Sequence, residues 1–196
     1  MNTENVTLMR SARESLKGKW PLAVGTFFLY TLFVAGPGSV EHRGSILTLI
    51  IGGPFALGAA IFSLSIARGK EARVEQIFQG FNQFANALVA YLLILFYVLL
   101  WALLFIVPGI IAALSYSMTF YIMADDPQIQ PQDALKKSKS MMNGYKLKLF
   151  YLDLRFFLLG ILCILTLGIG FLWLIPYFHV TMAKFYDDLK IDSFME

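Results

Sequence analysis

Four ionisable side chains fall inside strongly apolar stretches of the chain: Asp153, Arg155, His179 and Lys184. A charge in hydrocarbon is costly unless it is paired or close to water, so such residues mark either an ion or proton pathway or a paired, snorkelling arrangement. Asp153 and Arg155 lie near one end of their apolar block and Lys184 near the end of the next, so these three reach an interface or each other. His179 is deeper, where it serves as a proton relay or as a hydrogen-bonded packing residue. With the hydroxyls of Ser115 and Thr119 it would line a polar path for a small solute. The same hydroxyls satisfy themselves on their own helix carbonyls if they only pack.

Asp125-Asp126 and Asp187-Asp188 each close an apolar block, where carboxylates oppose the negative end of a helix dipole. That placement predicts basic partners, drawn from a neighbouring amphipathic segment. A divalent cation would need more oxygen ligands than one adjacent pair supplies. In Pro131–Leu149 the residues Leu135, Met142 and Leu149 recur every seven positions while Lys136, Lys137 and Lys139 lie on other faces. This predicts an in-plane helix, apolar side toward acyl chains. Its lysines, with Arg10, Arg13 and Arg73 of comparable segments, would contact anionic headgroups at about 1 kcal/mol each. The alternative is that the basic helices fix topology and pack beneath a bundle.

Phosphate-binding Gly-rich loops, paired-His motifs and nucleophile elbows are all missing from the sequence, which therefore predicts no catalysis and no cofactor or metal. Cys163, the only cysteine, reads as a small core side chain. Lys and Arg are gathered into short segments between apolar blocks, a pattern that makes nucleic acid a poor partner.

The elements that must carry these residues are set by hydropathy. Of 196 residues 58% are hydrophobic and 15% charged, with mean hydropathy +0.66, too apolar for a water-soluble fold of this size. The chain reads as one all-α membrane domain over 1–196, with six transmembrane blocks near 20–35, 45–67, 84–107, 109–124, 147–167 and 169–185. The first block, preceded by a long polar lead and followed by Gly36-Pro37-Gly38, reads as an uncleaved span rather than a signal peptide. Pro108-Gly109 and the stretch containing Gly168 and Gly170 interrupt apolar runs far too long for one crossing and are expected to be hairpin turns. Counting by loop puts 15 of the 16 Lys and Arg on one side, Arg43 alone on the other, so the termini and basic loops are expected in the cytoplasm.

The sequence also repeats. Amphipathic segments Thr7–Lys19, Glu71–Gln83 and Pro131–Tyr145 each precede a pair of apolar blocks, giving units of about 5–68, 71–126 and 131–190. Gly53-Pro54-Phe55-Ala56, Val107-Pro108-Gly109-Ile110 and Leu174-Ile175-Pro176-Tyr177 mark comparable points in the second block of each pair, and Ala67-Arg68 aligns with the two aspartate pairs. The expectation is three parallel copies of interfacial helix, span, tight turn, span.

Arg13-Glu14-Ser15-Leu16-Lys17-Gly18-Lys19-Trp20, Pro108 through Met118, Leu167 through Tyr177, and Phe185-Tyr186-Asp187-Asp188-Leu189 occur in an order and at separations that carry a resemblance over nearly the whole chain. The sequence resembles the bacterial membrane family catalogued as domain of unknown function 975, related to the membrane domain of some glycerophosphodiester phosphodiesterases. The resemblance implies a multi-pass protein of the bacterial inner or plasma membrane and carries no activity or catalytic residues. The function expected is a non-enzymatic, lipid-interacting or scaffold component. Alternatives are a transporter or channel for a small solute, and a membrane partner subunit of an enzyme.

Overall fold

In the computed structural model, which describes residues 3–35 and 42–193, the chain is helical, with no strand among the described residues. The helices are α1 Asn5–Ser15, α2 Trp20–Ala35, α3 His42–Ala67, α4 Phe84–Leu104, α5 Ile106–Tyr116, α6 Thr119–Asp125, α7 Pro131–Met141, α8 Lys146–Leu165 and α9 Phe171–Ser193. A 3₁₀ helix, Val74–Gln83, leads into α4. Gly36-Pro37-Gly38 and the side chain of Arg43 lie outside the described residues.

Among the described residues three stretches are long and apolar enough to cross a membrane: Leu47–Ala67, Val74–Leu104 and Ile106–Asp125. The segment Trp20–Val34 is apolar but shorter. Helices α8 and α9 have comparable length, and their charges gather at one end of each: Lys146, Lys148, Asp153 and Arg155 in α8, and Lys184, Asp187, Asp188 and Lys190 in α9. Phe96, Leu99 and Leu103 of α4 and Phe157, Leu162 and Leu165 of α8 are exposed, a surface that suits lipid rather than water.

The breaks between helices have local causes. The chain leaves α4 at Phe105, which is extended (φ −157°, ψ 150°), three residues before Pro108. Pro108 and Gly109 therefore sit in the first turn of α5, where the missing proline N–H has no intrahelical partner to lose. Past that break α4 and α5 run antiparallel, with Gly109 beside Ala102 and the rings of Tyr116 and Tyr97 5.8 Å apart. Between α8 and α9 the turn passes through Leu167 (φ 54°) and Gly168 (φ 86°), the left-handed conformation glycine tolerates best. There Thr166 Oγ1 accepts the Gly170 N–H at 3.0 Å and donates to the Cys163 carbonyl at 2.8 Å.

Helices α3, α6 and α9 meet at the centre, where Phe62, Ile66, Ile122 and Tyr186 are fully buried. Phe27 of α2 adds an edge-on contact to Phe62 at 5.8 Å. Each amphipathic segment lies against one of these central helices or its continuation. Helix α1 runs antiparallel to α9, since Thr3 Oγ1 donates to Asp188 at 2.7 Å and the Tyr177 hydroxyl donates to the Met9 carbonyl at 3.1 Å. The 3₁₀ helix runs back along α3, bringing Ile77 against Gly58 and Gly80 against Pro54. Helix α7 reaches the break between α5 and α6. The apolar stripes of these segments, Leu8, Ala12 and Leu16 in and after α1, Ile77 in the 3₁₀ helix, and Ala134, Leu135 and Met142 in and after α7, belong to the protein core. They face protein rather than the acyl chains that the seven-residue periodicity had pointed to.

Candidate functional site: a charged clasp at the basic end

The ends of α3 and α6 converge on the last third of α9, and their charges meet. Arg68, the residue after α3, grips Asp125 through two parallel bonds, Nη1 to Oδ1 at 2.5 Å and Nη2 to Oδ2 at 2.9 Å. The same guanidinium reaches Asp187, Nη2 to Oδ1 at 2.6 Å and Nε to Oδ1 at 3.1 Å. Lys190 adds a bond to Asp125 Oδ2 at 2.6 Å and the Tyr186 hydroxyl donates to the same oxygen at 3.1 Å. The four charges cancel. The Asp125 hydrogen bonds hold the Arg68 pKa above its ordinary value against an opposing burial effect, so Arg68 stays cationic throughout the working pH range.

The chemistry of this cluster is charge pairing between helices. The carboxylate at the C-terminus of α6 opposes that helix's dipole and a second, from within α9, lies close to it; one planar, permanently charged fork answers both at once. Partners at Asp125 and Asp187 were expected from amphipathic segments, yet Arg68 comes from the end of a central helix. Its signal was present in the sequence, where Ala67-Arg68 aligns with the two aspartate pairs. Asp188 does pair outward, with Thr3 and, at 3.7 Å, with Lys148 of α8. The Lys184 ammonium donates to the Ala67 carbonyl, satisfying an orphan group at the C-terminus of α3. Asp153 and Arg155 are not paired with each other: one Asp153 oxygen is buried without a partner and Arg155 is exposed.

A second polar joint was not foreseen. The backbone loses its regular helical bonding at Ser117-Met118, and Ser138 of α7 fills the gap, its hydroxyl donating to the Ser115 carbonyl at 2.8 Å and accepting the Met118 N–H at 3.2 Å. Single serines on amphipathic helices carry no sequence mark that separates such a joint from a surface hydroxyl.

Among the expected contact residues, Lys136, Lys137, Lys139, Arg10, Arg13 and Arg73 are all exposed. His179, Ser115 and Thr119 are not brought together around one shared cavity. The His179 ring stacks on Phe27 at 4.6 Å and borders an apolar groove between α8 and α9. The Ser115 hydroxyl donates to its own helix at Ile111 and borders a separate groove shared with Lys139 and Lys146. Thr119 is fully buried and donates to the Tyr116 carbonyl at 2.7 Å.

The family model described as protein of unknown function (DUF975) matches residues 1–115 and residues 103–193. The chain belongs to the DUF975 family. Neither the curated proteins nor the solved structures contain a match. For a DUF975 protein the clasp and the Ser138 joint are therefore read from this chain's own geometry.

Proposed function

We propose that this DUF975 chain is a non-enzymatic, lipid-interacting or scaffold protein of a bacterial cell membrane. In this reading six spans form three hairpins in threefold repetition, with the termini and basic segments cytoplasmic. The observation that carries it is the pairing of two facts: the apolar stripes of the amphipathic segments are used up inside the protein, while Lys136, Lys137, Lys139, Arg10, Arg13 and Arg73 stay exposed. Exposed cations favour anionic headgroups, each at about 1 kcal/mol, and Arg73 and Lys136 are also paired with Glu71 and Asp133.

The threefold reading is supported by equivalent packing. The 3₁₀ helix lies on α3, α7 on the α5–α6 pair, and α1 on α9, so each amphipathic segment packs on the second helical arm of the unit before it, with the last unit serving the first. A filled centre supports a scaffold over a conduit.

The test is binding of the purified protein to patches of anionic and zwitterionic bilayer at matched ionic strength. Anionic preference should fall by about 1 kcal/mol per residue as Lys136, Lys137 and Lys139 are changed to Gln, and the preference should weaken with salt. Indistinguishable binding to both bilayers would sink the reading.

A further inference from the structure

The largest groove described, about 690 Å³, runs between α1, α2, α8 and α9. Its volume is in the range of roughly 300–1,000 Å³ typical of sites for small organic ligands. Its walls are apolar, with Leu159, Leu162 and Cys163 on α8 facing Trp173 and Leu174 on α9. The two hydroxyls at its surface are already committed: Tyr177 donates to the Met9 carbonyl, and Thr166 bonds to Cys163 and Gly170. Neither hydroxyl is free to meet a polar solute along this wall.

One charged group lines the groove, Arg13, accompanied by Trp20. Arg13 is exposed and makes no ion pair among the described residues. Arg13 is in the last turn of α1, six residues before Lys19, which donates to the Lys70 carbonyl; Thr166 and Gly170, in the α8–α9 turn, lie at the other end of α8 from Lys148 and its partner Asp188. The groove thus has, on its α1–α2 side, an indole and a cation with no ion pair among the described residues, and apolar walls on its α8–α9 side.

From this we infer that the α1/α2/α8/α9 groove is a site for one anionic phospholipid, an acyl chain lying along Leu159, Cys163 and Leu174 and the phosphate on Arg13. The assignment rests on the bilayer placement proposed above, but not on the lysines of α7. Charge complementarity selects the occupant: the guanidinium forks a phosphate, and spent hydroxyls leave only apolar contact for the remainder.

The test uses the full-length protein in detergent, native mass spectrometry, and Cys163 as an internal reporter, since it is the only thiol and lines the groove. Phosphatidylglycerol should be retained as a one-to-one adduct and should slow maleimide labelling of Cys163, whereas phosphatidylcholine with the same chains should do neither. Arg13→Gln should lower phosphatidylglycerol retention about tenfold with helical content unchanged. Labelling Cys163 with a bulky maleimide before lipid is added should abolish the adduct without any mutation, which keeps the test valid if Arg13→Gln fails to fold. Equal retention and protection by the two phospholipids, or an unchanged adduct in Arg13→Gln, would overturn the site. Protection by oleate but not phosphatidylglycerol would overturn the phospholipid assignment. The Lys136/Lys137/Lys139→Gln variant should keep the adduct; if that variant alone loses bilayer preference while the adduct fails in the wild type, the groove is wrong and the surface reading stands.

Discussion

Arg68 answers two carboxylates from different helices, so its removal strands more than one charge. With Arg68→Met, Asp187 loses its partner and Asp125 keeps only Lys190 and Tyr186. Fully buried pairs lose about 3–5 kcal/mol when one member is removed; Arg68 and Asp187 are each 26% exposed, and water reduces the expected loss to about 2 kcal/mol. Chemical unfolding in detergent micelles checks this, and adding Asp187→Asn to Arg68→Met should recover part of the loss. Ser138→Ala leaves a buried carbonyl and a buried N–H unmet, for an expected cost of about 1–3 kcal/mol, against almost nothing for the exposed Ser140→Ala in the same assay. The sequence signalled that the aspartates needed cations. The alignment of Ala67-Arg68 with the two aspartate pairs marked Arg68, but only the packing of α3, α6 and α9 brings it within reach of both.

The helices themselves were legible from hydropathy and spacing, and the turns nearly so. Pro108-Gly109 was the visible punctuation, yet the bend falls at Phe105 because proline's fixed φ suits a first helical turn and displaces the break upstream. The direction of the amphipathic stripes was not legible. Hydrocarbon and a packed core are equally apolar, so the same periodicity describes a helix that floats in the interface and one that docks on a neighbour. What distinguishes docking is close approach: a Cβ at Gly58 would overlap the Ile77 carbonyl oxygen, and one at Gly80 the Pro54 carbonyl oxygen. Backbone cannot step aside as a side chain does, so Gly58→Ala or Gly80→Ala should each cost about 1–3 kcal/mol in thermal unfolding, whereas Ala at the uncrowded Gly25 should not.

For the molecule as a whole, the bonds Lys19 to Lys70, Arg68 to Asp187 and Lys148 to Asp188 tie together the residues just before α2, just after α3, at the start of α8 and in the last third of α9. Reporter fusions in the stretch Arg68–Arg73 and at the C-terminus should both report the cytoplasm; an external report at either would remove orientation and repeat together. Composition and charge bias were enough to foresee a bundle in lipid, but not that its centre is filled by Phe62, Ile66, Ile122 and Tyr186.

The contact between α1 and α9 also has a consequence in time. Thr3 and Asp188 are 185 positions apart, so α1 packs on a helix that is made long after it. Throughout synthesis Leu8, Ala12 and Leu16 wait without their final neighbours, and insertion of α9 is the event that locks the start of the chain. A nascent chain stalled before Phe171 should therefore leave α1 open to protease from the basic end, and release of the full chain should close it.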